Sequence, residues 1–211
     1  MALGALGKKE SLSEKAYQML REAILAGELK PGDVLTEEGM ADLLQISRTP
    51  VRSALQQLAT EGFLTAGRKN MIVAGVDEEE LKHVDQVRAE IEPLSAELVC
   101  RKGLTLDEIE ELRGYCRRQN VAAQAGSVRE FFLQGEKFHT RLAELSGNAY
   151  LAEMVGQAST SAIRFLTNQT DSKKFLDQSG TEHEEILMTI LRGDPAKARE
   201  RMREHVKKKR G

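Results

Sequence analysis

Residues Thr36 to Val73 read TEEGMADLL, then QIS, then RTPVRSALQQLATEG, then FLTAGRKNMIV. The pattern is a helix, a tight turn, a second helix and a β-wing. Met40, Leu43 and Leu44 recur at helical spacing and Ile46 plugs the turn, while Val51, Ala54, Leu55 and Leu58 give a second apolar stripe. Ser47 or Thr49 is placed to cap the second helix, and Pro50 in its first turn lacks a donor that the helix could not use there. Two short helices joined by three or four residues form the unit that sets its second helix in a DNA major groove. Ser47, Arg48, Thr49 and Arg52 cluster at the start of that helix. This first turn is the part that reaches base edges and phosphates, and Arg can bridge a guanine with two hydrogen bonds. A solvated helix face is the plain alternative for Arg48 and Arg52, but the turn, the proline and the wing all agree with a reader.

Upstream, Ser11-Leu12-Ser13-Glu14 has the form of a capping box, and Ala16, Met19, Leu20, Ala23, Ile24 and Gly27 form an amphipathic stripe. Leu29-Lys30-Pro31-Gly32-Asp33 is a turn, and Val34-Leu35 adds a short strand. The wing is a hairpin of Phe63–Thr65 and Met71–Val73, with Gly67, Arg68, Lys69 and Asn70 near its tip. Residues 1–10 read as a flexible tail and residues 11–76 as one domain. Residues 1–76 carry nine Lys/Arg and nine Asp/Glu, yet from Leu43 to Val76 Arg48, Arg52, Arg68 and Lys69 face only Glu61. Positive charge is therefore expected on the second helix and wing, where phosphates would lie. The whole chain has a net charge of −2, which argues against general coating of nucleic acid.

At 211 residues the chain holds one large domain or two small ones. No run approaches the roughly 18 apolar residues of a membrane span. The start has no basic region of a signal peptide. Cys100 and Cys116 form no CxxC pair and suit a reducing cytoplasm, so a cytoplasmic protein with no membrane partner is expected.

From Asp77 to the end of the chain there are no strand signals. Six helices are placed by their punctuation. Asp77 opens one that Gly103 ends; Thr105-Leu106-Asp107-Glu108 and Ser127-Val128-Arg129-Glu130 read as capping boxes for the next two. Asn148 caps a fourth, a fifth runs roughly from Asp171 to Arg192, and Asp194-Pro195 opens the last. The basic end, Lys207-Lys208-Lys209-Arg210, complements the last helix terminus. Helices in such a run with short connections form an antiparallel bundle. The fold class is mostly α, a winged helix-turn-helix followed by an all-α bundle of about six helices.

Val84, Arg88, Ile91 and Ser95 share one stripe of the first bundle helix, which aims Arg88 inward. His139 follows Phe138 and lies three before Leu142; His183 precedes Ile186, Leu187 and Ile190; His205 continues the line of Ala198 and Met202. Buried polar groups need partners. Three imidazoles from three helices could satisfy one another through a metal ion, and imidazole suits Zn, Ni, Fe or Cu. An Arg beside an open metal position is a natural receptor for a carboxylate, while the plain alternative is that Arg88 pairs with Glu92, Glu90 or another bundle carboxylate. Each His alone is more often a hydrogen-bonded core or surface side chain than a ligand.

Gly27-Glu28-Leu29-Lys30-Pro31-Gly32, Ser47-Arg48-Thr49-Pro50-Val51-Arg52 and Glu61-Gly62-Phe63-Leu64 resemble the winged helix-turn-helix of the GntR family of bacterial transcription regulators. The resemblance implies DNA contacts from Arg48, Thr49 and Arg52, helped by the wing tip with Arg68 and Lys69, and Ser47 joins them by its place at the start of the helix. Family members often carry an Arg in the first turn of the preceding helix, near Glu38, where this chain is acidic. Arg88-Ala89-Glu90-Ile91-Glu92-Pro93, Phe138-His139, Ser146-Gly147-Asn148, Glu182-His183 and Gly193-Asp194 followed by His205 resemble the FCD ligand-binding domain. That resemblance implies an effector site at Arg88 and metal ligands at His139, His183 and His205. Metal-binding members complete the set with an acidic residue four positions before the first His, and here that position is Gly135.

The expectation is a homodimeric regulator on palindromic operator DNA. Residues 77–211 would form its effector-binding and dimerisation domain, taking a small organic acid beside a divalent transition metal, Zn or Ni. The alternative is a metal-dependent hydrolase or isomerase using the three-His site.

Overall fold

The computed structural model of the chain describes residues 11–75, 77–167, 176 and 181–208. The expected tail at 1–10, the onset of the fifth bundle helix near Asp171 and the end of the basic run lie outside the described residues. The chain divides into two compact units, Met1–Gly75 and Val76–Gly211.

The first unit runs α1 (Leu12–Leu25), β1 (Val34–Leu35), α2 (Glu37–Leu44), α3 (Arg48–Thr60), β2 (Leu64–Ala66) and β3 (Met71–Val73). Ser11 caps α1 by accepting from the Glu14 amide, and Thr36 caps α2 by accepting from Gly39. β3 is the middle strand of an antiparallel sheet ordered β1-β3-β2, with Val34 opposite Ile72 and Thr65 opposite Ile72 from the other side. The core gathers Leu20 and Ile24 of α1, Leu35, Val51, Leu55 and Leu58 of α3, Phe63 and Val73. Phe63 is wholly buried, so the residue leading into the wing also anchors it to the helices.

Two expected core residues face outward. Leu43 is 68% exposed and Met19 58%, whereas Ala41 and Tyr17 take the inward places. Both helices are rotated relative to the stripe read from the sequence, because each buries a small or aromatic residue that the aliphatic pattern ignored.

The second unit runs α4 (Glu78–Lys102), α5 (Leu106–Gln124), α6 (Val128–Leu145), α7 (Ala149–Thr167), α8 (Glu182–Leu191) and α9 (Pro195–Lys208). α4 packs on α7 and α9, α6 lies between α5 and α7, and α8 touches α4, α5 and α9. Thr105 and Glu108 form a reciprocal capping box at α5. The box expected at Ser127 does not form: its side chain makes no capping bond, and Glu130 accepts from Gln134 instead. Asn148 caps α7 and Asp194 caps α9 through the amides of Leu151 and Lys197. Among the described residues no helix is long and apolar enough to cross a membrane.

Leu142 is fully buried in the main core of this unit, with Leu112, Phe138, Leu187 and Met202. Leu142→Ala should lower unfolding free energy by about 2–5 kcal/mol in denaturant titrations. Leu106→Ala, at a position 82% exposed, should stay within about 0.5 kcal/mol of wild type.

Candidate functional site

Ser47, Arg48, Thr49, Arg52, Arg68 and Lys69 are all exposed on the first unit. Ser47 occupies the cap position of α3 in extended backbone, but its hydroxyl makes no capping bond, and Thr49 lies inside the helix. The expected side-chain cap is therefore absent, and Ser47 is exposed. A groove of about 210 Å³ separates α3 from the wing, lined by Glu37, Arg52, Gln56, Arg68 and Lys69.

The charge distribution corrects the reading from sequence. Arg48 Nη2 lies 2.5 Å from Glu38 Oε1. Arg52 donates through Nε and Nη2 to the two oxygens of Glu37, both at 2.7 Å. The bond from Arg52 holds the Glu37 carboxyl below its ordinary range, and Glu37 raises Arg52 in turn. Both glutamates sit in the first turn of α2. They balance the two arginines locally, and among the described residues Arg68 and Lys69 are the cations of this surface without a carboxylate partner.

In the second unit α6, α8 and α9 bring His139, His183 and His205 together, each at most 3% exposed. Their Nε2 atoms face one another at 3.0 Å (His183 to His139), 3.0 Å (His183 to His205) and 3.2 Å (His205 to His139). Each Nδ1 points outward to an oxygen. His139 Nδ1 is 2.9 Å from Glu92 Oε2, and His205 Nδ1 is 2.7 Å from Glu182 Oε2. His183 Nδ1 is 2.5 Å from Gln119 Oε1. Gln119 donates through Nε2 to the Phe131 carbonyl, which fixes its oxygen toward the imidazole. All three partners are acceptors, an arrangement suited to a proton on each Nδ1, and the three Nε2 atoms are turned toward one another. Phe138 stacks on His183 with ring centroids 4.6 Å apart and shields the cluster.

The donor set fits a metal. With metal–nitrogen bonds of about 2.1 Å, nitrogens 3.0–3.2 Å apart subtend roughly 90–100° at one ion, a facial set. Outward hydrogen bonds from ligating imidazoles to carboxylates are the usual support of such sites. Gly135 faces the cluster: a Cβ there would lie 3.3 Å from His183 Cε1 and 3.0 Å from Gln119 Nε2. The missing side chain is what gives Gln119 room to reach His183.

Arg88 is buried on α4 as expected, but its immediate partners are on its own helix. Nε donates to Glu92 at 2.5 Å and Nη1 to Asp85 at 3.2 Å. Burial works against the charge of Arg88, yet Glu92 and Asp85 outweigh it and raise its pKa. Burial would likewise push the Glu92 carboxyl up, but Arg88 first and His139 second hold it well below the ordinary range. Glu92 thus joins the arginine to the histidines. The sequence offers Glu92, at i+4 from Arg88, as a plain ion-pair partner for that arginine, and this pair forms. The contact of Glu92 with His139 and the places of Glu182 and Gln119 went unread: Glu182 is adjacent to His183, and Gln119 shows only as a polar residue in line with Leu112 and Cys116.

The first unit is a winged helix-turn-helix and the second a helical bundle with a buried polar cluster, the architecture of a DNA-binding regulator with a ligand domain. Residues 12–72 match the model of bacterial regulatory proteins of the gntR family, and residues 84–208 match that of the FCD domain. The chain belongs to the FCD-containing branch of the gntR family and is a transcription regulator, not an enzyme. It is 35% identical over 137 residues to the Nta operon transcriptional regulator of Aminobacter aminovorans, a match spanning 64% of either chain. An HTH-type transcriptional regulator of Streptomyces ambofaciens is 31% identical over 90% of this chain and 80% of its own. The solved structure of E. coli McbR/YncC has the same fold, with a TM-score of 0.80, 21% identity, and coverage of 95% of this chain and 96% of that one. The hydrolase or isomerase alternative is overturned by these matches.

Glu92→Gln should destabilise the second unit by about 3–5 kcal/mol in denaturant, because it strips a buried arginine and an imidazole of their shared anion. A loss below about 1 kcal/mol would mean that Asp85 alone suffices for Arg88.

Proposed function

We propose that this regulator works in the cytoplasm as a homodimer on a two-fold-related operator, and that its effector is a small organic acid. The acid sits beside a divalent ion, Zn or Ni, held by His139, His183 and His205. One observation carries the metal: three buried lone pairs converge while every Nδ1 is committed outward. Such an ion supplies the positive charge those lone pairs lack and an open position for a carboxylate oxygen.

The residues around it supply the selectivity. Arg88, Gly135, Glu136, His139 and Ser159 line a cavity of about 20 Å³. Ser159 is 3% exposed, and its hydroxyl has no hydrogen-bond partner among the described residues. The acid is held by Arg88 through Nη2, the nitrogen not engaged by Glu92 or Asp85, and by the Ser159 hydroxyl. A space of that size takes about one water, so the acid enters only when α6 and α7 part. That displacement is the unequal fit by which an effector shifts one state against another.

Dimerisation is supported by a half-covered apolar strip. Ile91, Leu94 and Leu98 of α4 adjoin Leu151, Ala152 and Val155 of α7, and Val87 and Met154 are about half exposed. Two copies would present two recognition helices to a palindrome. Arg48 and Arg52 read bases there with Ser47 and Thr49, while Arg68 and Lys69 hold phosphates.

Metal-stripped protein should gain thermal stability on titration with Zn or Ni, since an ion that binds only the folded state stabilises it. His183→Ala should abolish that gain; an equal gain in the variant would remove the histidines from the site. Screening of short organic acids against metal-loaded protein should then find a further shift that Arg88→Ala loses. Arg48→Ala or Arg52→Ala should weaken binding to a selected operator about ten- to a hundredfold, and random DNA far less. Loss of Arg68 and Lys69 should weaken all sequences alike and flatten the salt dependence.

A further inference from the structure

The wing and the start of α3 carry the cations expected of a DNA surface, yet the two arginines best placed to read bases are each held by a glutamate. We infer that Glu37 and Glu38 are specificity determinants, which turn Arg52 and Arg48 from phosphate anchors into base readers. The inference rests on the reading that Arg48 and Arg52 face DNA.

The geometry of Arg52 makes the argument. Glu37 takes the Nε–Nη2 edge of the guanidinium with two bonds of 2.7 Å. That fork fixes the plane of the group and leaves its other edge, Nη1 and the second Nη2 hydrogen, pointing away from the glutamate. Two donors on one edge are what the O6 and N7 acceptors of guanine require. A guanine edge is neutral, so it binds an arginine whose charge is already balanced. A phosphate is attracted chiefly by net charge, and that attraction is cancelled by the glutamate alongside. Arg48 is held more loosely, by one bond from Nη2 to Glu38.

The glutamates do not depend on the arginines for their own placement. Both occupy the first turn of α2, where the helix terminus favours carboxylates. Exposed ion pairs are weak in water, so DNA can rearrange them without unfolding anything. On a sequence offering no guanine in reach, the pair of carboxylates is left facing an anionic duplex. The acidic residues therefore penalise wrong DNA more than right DNA, which is how a discriminating contact works.

The test uses the full chain, a duplex selected by the wild-type protein from a random-sequence library, and a random-sequence duplex of equal length. E37Q/E38Q keeps the side-chain shape and removes both charges. Its affinity for random DNA should rise about tenfold or more, and its salt slope on random DNA should steepen by up to about two. The ratio of selected to random affinity should fall by about tenfold. Adding E37Q/E38Q to an R48A/R52A background should leave most of that ratio change unmade. A ratio that stays constant or rises overturns the inference, as does weaker binding to random DNA. If R48A and R52A themselves weaken both duplexes equally, the base-reading role of the arginines fails first, and separately.

Discussion

Three imidazoles with their protons turned outward set the terms for the whole helical unit. His139, His183 and His205 come from α6, α8 and α9, and their Nδ1 atoms are received by Glu92 of α4, Gln119 of α5 and Glu182 of α8. Five helices therefore meet at one polar cluster inside an otherwise apolar core. Three ring nitrogens 3.0–3.2 Å apart set their lone pairs against one another unless a proton or a cation lies between them. Glu92 and Glu182 carry negative charge into the same space, and Arg88 with its second partner Asp85 adds none in net. A core arranged like this is costly unless it is used, and the proposed divalent ion gives that use.

Much of this was legible in the sequence, for reasons that differ between the two units. The helix-turn-helix and wing follow from local rules, because Thr36, Pro50, the apolar stripe of α3 and the Gly67–Asn70 tip all act within a few residues. The inward placement of Arg88 and of the three histidines follows from helical periodicity over α4, α6, α8 and α9. Their convergence needed the resemblance, because periodicity gives a face and not a distance. Gln119 was not legible, since its role depends on α6 having no side chain at Gly135, sixteen residues away. Leu43 was misplaced because apolar character in a short helix does not say which of two adjacent faces meets the core.

The recognition surface shows the same limit in its electrostatics. Counting charges from Leu43 onward gives a basic helix and wing, but Glu37 and Glu38 lie just before that window and fold back onto Arg52 and Arg48. Charge along a chain is not charge on a surface. On the proposed reading, contacts that would grip any duplex become contacts that ask for a particular base edge, and the wing supplies the unspecific hold.

The central claim is that the bundle interior is a metal site built from three histidines. X-ray absorption at the metal edge of nickel- or zinc-loaded protein tests it most directly. The account predicts a first shell with three imidazole nitrogens at about 2.1 Å, completed by oxygen, and no sulfur. A shell containing sulfur from Cys100 or Cys116, or one with fewer than two imidazoles, would contradict it.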